Sequence, residues 1–251
     1  KQIDREVTSA YIQNSRLITL KGKEIKLKVK ELQQTIQNLI ALEVMEQTSE
    51  SIVAKDFINM DTVSADELIR KMDIIVRTMM QETCDIFKED NYESINERDK
   101  DVNRLYFLLY RAILFNLDNP THAIKRFKLR ALDLMKLYSL GFYLEGVADE
   151  VRRSARFLIK LKISRANKDE IEKILREIYS QYLKTIKAAY NNNPEDSLKL
   201  STQKSPLFVM MDKLEEKNVG VEHFITCLSR IRRLISYVHN IGRVTYTLGN
   251  Y

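Results

Sequence analysis

From residue 64 onward, apolar residues return every three or four positions for more than a hundred residues, and that rhythm is what most restricts the fold. In "SADELIRKMDIIVRTMMQETCDIF" (64–87) the series Leu68, Met72, Ile75, Met79 and Ile86 paints one stripe along a helix. The same spacing predicts helices over about 64–89, 92–117 and 122–162, the last following "DNPTH", where Pro120 breaks the chain. Together they read as one antiparallel three-helix bundle. Only six Gly and three Pro occur in 251 residues, too few for the tight turns of an all-β protein.

Residues 1–60 read differently. "SRLITLKG" (15–22) and "SESIVAKDFI" (49–58) look like short strands flanking a helix over 25–42, a small α/β unit. At the other end, helices are expected over about 167–191, 207–217 and 219–245, with an irregular stretch from "NNNPEDS" through "STQKSPLF". The expected organisation is therefore a small α/β unit (1–60), a first three-helix bundle (61–164) and a shortened second one (165–251), a mainly α protein. A faint internal similarity supports the pairing: "DELIRKMDIIVRTMMQE" aligns with "DEIEKILREIYSQYLKT", and "LEGVADEVRRSA" (144–155) with "IRRLISYVHNIG" (231–242).

Chemistry concentrates where charge meets the greasy helical face. In "NERDKDVNRLYFLLYR" (96–111), Asp99 and Asn103 stand one turn apart, at the start of the apolar series Val102, Leu105, Tyr106, Leu109 and Ile113. Glu145 and Asp149 repeat the i, i+4 spacing on the next long helix. On neighbouring helices, two such pairs place several hard oxygens together, a donor set suited to Mg²⁺, Ca²⁺, Mn²⁺ or oxygen-ligated iron, with Glu97, Asp101 and Glu150 as supplements. The plainer reading is a set of surface ion pairs with Arg98, Arg104, Arg152 and Arg153.

Other constellations carry less. His223 and Cys227 share an i, i+4 spacing but lack the further ligands zinc requires, and read as structural. No phosphate-cradling glycine loop and no G-x-S-x-G elbow occurs, nor any Glu-x-x-His pair for a di-iron enzyme. The Met pairs in "RTMMQE" and "FVMMDK" read as core filling. The net charge of +6 arises from 41 basic and 35 acidic residues, largely interleaved, so the basic runs at 152–165 and 229–233 read as solvated faces. Cys84 and Cys227 read as reduced thiols of a cytoplasmic protein. No apolar run approaches the ~20 residues that span a bilayer, so membrane association would come through a partner. Opening on Lys rather than Met, the chain reads as a fragment or a processed form.

"ERDKDVNRLYFLLYR" resembles the second-helix signature of the PhoU family of phosphate uptake regulators: an acid, three residues, then Asp or Asn ahead of an apolar stretch. "YLEGVADEVRRSARFL" is similar to that family's third-helix Glu-x-x-x-Asp motif, with Gly146 where Arg is usual and Glu150 where His is usual. The resemblance implies tandem pseudo-symmetric bundles over about 64–245, a divalent metal or iron cluster on the acidic motifs, no enzymatic activity, and regulation of phosphate uptake and signalling. Its implied partners are phosphate ABC transporter or sensor kinase components, and a second copy of the chain as a homodimer. Arg232 and Ser236 replace the third-helix acids in the second bundle, so the implied metal site is Asp99, Asn103, Glu145 and Asp149 in the first. The N-terminal unit resembles the segment that follows an AbrB-like DNA-binding domain in archaeal PhoU-type proteins. DNA is an expected partner only if such a domain lies upstream.

Overall fold

The computed structural model describes residues 2–201 and 205–248. The protein is mainly α-helical, with one small antiparallel sheet near its N-terminus. By contacts it parts into two compact units, Lys1–Ile69 with Asn103–Tyr138, and Arg70–Val102 with Ser139–Tyr251.

The first unit opens with α1 (Gln2–Ile12), β1 (Leu17–Lys21) and α2 (Ile25–Gln37), followed by the hairpin β2 (Leu42–Gln47) and β3 (Ser51–Asp56). Strand order is β1-β3-β2, with Ile18 opposite Ala54, Leu20 opposite Ile52 and Leu42 opposite Asp56. Alternation sends Ile18, Ile52 and Ala54 to one face, where Val7 and Tyr11 of α1 and Ile25, Leu32 and Ile36 of α2 close over them. Neither α1 nor β2 was expected from the sequence, and the helix expected over 25–42 ends five residues early, at Gln37. Asn38 caps α2, and Ala41 turns the chain at φ 61°, so β2 begins without a Gly or Pro to announce it.

Next come α3 (Ala65–Cys84) and α4 (Tyr92–Asp118). Ser64 caps α3 by accepting from the Glu67 amide, and Asp90 accepts from the Tyr92 amide as α4 begins. A single turn, α5 (Pro120–His122), leads into a π turn over Ala123–Phe127 and a left-handed Lys128, so the next long helix, α6 (Ala131–Leu158), starts later than expected.

The second unit continues with α7 (Arg165–Tyr190), α8 (Pro194–Ser201), α9 (Ser205–Lys217) and α10 (Phe224–Leu248). Helix α8 falls in the stretch read as irregular: Pro194 occupies its first turn, and Asn193 accepts from the Asp196 amide. Residues 202–204 of that stretch lie outside the described residues. Met79, Met80 and Met211 are buried core, as are both cysteines, whose thiols burial pushes up to about 11 at Cys84 and about 12 at Cys227. His223 lies just before α10 rather than on it, with φ 64°. Among the described residues no helix is long and apolar enough to cross a membrane.

Candidate functional site

Helices α4 and α6 bring three of the four expected ligands together in the second unit. Asp99, on the first half of α4, is buried; Glu145 and Asp149, one turn apart on α6, are half-buried. Asn103 stands one turn beyond Asp99 on α4, half-buried, where the chain passes into the first unit.

Arginines of α6 hold two of the acids. Arg152 reaches Asp99 with Nε at 2.9 Å and Asp149 with a terminal nitrogen at 2.7 Å, clamping one helix to the other. Arg153 adds a two-pronged contact to Asp149, at 2.9 and 2.8 Å. Burial raises the Asp99 carboxyl above its ordinary value against the pull of Arg152. Among the described residues, no group of three or more His, Cys, Asp and Glu stands ready to hold a metal ion.

Glu145 is different. No ion pair engages it among the described residues, and burial, with Asp149 and Asp99 beside it, pushes its carboxyl up to about 7. The cluster thus contains two carboxylates latched by guanidinium and a third that enters no ion pair among the described residues, on which the attraction of Arg153 and Arg152 is outweighed by burial and the neighbouring acids. A hard cation, or a proton, is what such a group takes up.

The proton leaves a measurable trace. The folded state holds it up to about pH 7 while the unfolded chain releases it near 4.5, so stability falls across that interval as pH rises. Glu145→Gln removes the charge and the fall. Equilibrium urea unfolding at pH 8 is expected to show the variant more stable by about 1–2 kcal/mol, a figure reduced for partial exposure, and the two proteins equal at pH 4. Equal stability at both pH values would contradict this placement of Glu145.

The supplementary acids divide. Glu97 and Asp101 are exposed, and Glu97 pairs with Lys100. Glu150 is 1% exposed and faces α10 instead, with Arg233 at 3.0 Å, Arg230 at 3.6 Å and Arg153 at 3.9 Å. Gly146 makes room for that approach: a Cβ there would lie 2.4 Å from Cε1 of Tyr237 on α10.

Arg232, at the position the resemblance gives to an acid, bridges Asp212 and Glu215 of α9, both at 2.7 Å. Asp212 and Glu215 stand at i, i+3 on α9 and are matched by that arginine. Charge runs across α9 and α10 as it does across α4 and α6, with guanidinium as the clamp in both. Compared with models of known protein families and with curated proteins, the chain matches none.

Proposed function

We propose that the chain is a PhoU-like regulator of phosphate uptake and phosphate signalling, acting in the cytoplasm by docking onto transporter or sensor components rather than by catalysis. In this reading the α4–α6 acidic cluster is an arginine-latched cation site. The observation that carries the cation is Glu145: a half-buried carboxyl that enters no ion pair among the described residues, beside two carboxylates held by Arg152 and Arg153. A divalent ion of hard character would be held by Asp99, Glu145 and Asp149, displacing Arg152. The ion supplies no reaction here; it fixes α4 against α6, and the exposed helix surfaces present that arrangement to a partner. A homodimer is the expected assembly.

The functional half of the reading is tested in cells lacking the chain, by uptake of radiolabelled phosphate. Loss of the chain is expected to leave uptake high after a shift to plentiful phosphate, and Glu145→Ala with Asp149→Ala to restore control poorly. Normal repression without the chain would refute the regulatory role.

A further inference from the structure

We infer that the lysine-bearing outer face of α2 is a docking surface for an anionic phospholipid membrane. In "LKGKEIKLKVK" (20–30), five lysines occur within ten residues, and the fold segregates them. Ile25, Leu32 and Ile36 are buried against the sheet and Val29 packs beside them, which leaves Lys26, Leu27 and Lys30 on the solvent side of the helix. Lys21 ends β1 and Lys23 lies in the short connection into α2, both exposed. Two acids stand by this face, Glu24, engaged by Lys28 at 3.0 Å, and exposed Glu31, one turn on from Leu27; among the described residues Lys21, Lys23, Lys26 and Lys30 enter no ion pair, so the patch stays positive. Among these cations Leu27 is 86% exposed, the most exposed of the large apolar side chains among the described residues.

The combination selects the occupant. A ring of unneutralised lysines seeks phosphate, and an apolar side chain projecting from its middle seeks a phase below the phosphates. A bilayer of acidic lipids offers both at the right depth, because the ammonium groups remain at the headgroups on flexible stems while the leucine enters the acyl boundary. Duplex nucleic acid satisfies only the lysines: the face has no arginine for bidentate contact with guanine or phosphate, and Leu27 would be pressed against a charged backbone. The positive pole of α2, whose N-cap Glu24 makes no side-chain capping bond, adds to the same field. Contact of this kind is reversible and peripheral, and reaches the membrane directly rather than through a partner.

Cosedimentation with vesicles tests it, using phosphatidylcholine containing about one third phosphatidylglycerol, phosphatidylcholine alone, and in parallel a duplex DNA. The wild-type chain is expected to sediment with the anionic vesicles only, and to be released at about 0.5 M salt. Lys26→Gln with Lys30→Gln is expected to weaken binding about 25-fold, about five-fold per lysine. Leu27→Gln is expected to weaken it about ten-fold without altering net charge. All three positions are exposed, and unchanged circular dichroism verifies that the variants fold. Absence of binding to anionic vesicles, binding that ignores these substitutions, or DNA binding that is tighter and indifferent to Leu27→Gln would each overturn the proposal, the last by naming nucleic acid as the occupant.

Discussion

Asp56→Ala is expected to destabilise the first unit by about 3–5 kcal/mol, the range for removing one partner of a buried ion pair. Arg111, on the second half of α4, is 1% exposed. Both its terminal nitrogens lie on the Asp56 carboxylate at the end of β3, its Nε donates to Asn14 Oδ1 at 2.7 Å, and its Cζ lies 4.6 Å from the centre of the Tyr11 ring. Alanine at 56 would leave the guanidinium in a low-dielectric pocket with only neutral neighbours such as Asn14 and Tyr11, far short of its hydration in water. Most of the loss comes from that stranded charge rather than from the missing contact, so Asp56→Leu combined with Arg111→Met should recover much of it. Arg111→Lys should not be benign, because an ammonium cannot span the two oxygens and Asn14 together. Urea unfolding of the single and paired variants checks both statements. A single-variant loss under about 1 kcal/mol would show that water reaches Arg111.

Asp73→Ala is the second large effect, expected at about 3–4 kcal/mol in the other unit. Asp73 on α3 is 3% exposed and accepts four hydrogen bonds: from Arg77 at 2.9 and 2.7 Å, from the Tyr182 hydroxyl at 2.7 Å and from the Tyr190 hydroxyl at 2.9 Å. The two tyrosines lie eight residues apart, two turns of one face of α7, and Arg70 stacks 4.6 Å above the Tyr190 ring. Burial and the neighbouring carboxylate hold both phenols well above their ordinary range, so they donate at all moderate pH. Without Asp73, the fully buried Tyr182 hydroxyl loses its acceptor. Tyr182→Phe removes one donor of four and should cost only about 1 kcal/mol. Equal losses from the two variants would mean that packing, not this network, joins α3 to α7.

How much of this could be read from sequence follows the reach of each interaction. The stripe through Leu68, Met72 and Met79 is local, and α3 begins within one residue of its expected start. The same holds for the acids: i, i+4 spacing put Glu145 and Asp149 on one face, and α4 carries Asp99 to it. Arg152 was visible in the sequence, but whether it would face solvent or turn across to α4 depends on packing that no local pattern encodes. Asp73 and Tyr182 are 109 residues apart, and nothing near either one announces the other. Strand β2 was hidden for a different reason, since "LEVMEQ" follows a helix through a left-handed alanine where a glycine would ordinarily mark the turn. In "NNNPEDS" a proline and an asparagine that suggested a loop in fact start α8.

The decisive measurement is the manganese content of the purified chain after incubation with the ion and gel filtration, compared with Glu145→Ala plus Asp149→Ala and with Arg152→Gln. Retained manganese is expected in the wild type, loss in the double variant, and tighter retention in Arg152→Gln, where the competing guanidinium is gone. Identical content in all three proteins, or none in wild type and Arg152→Gln alike, would contradict a cation site between α4 and α6.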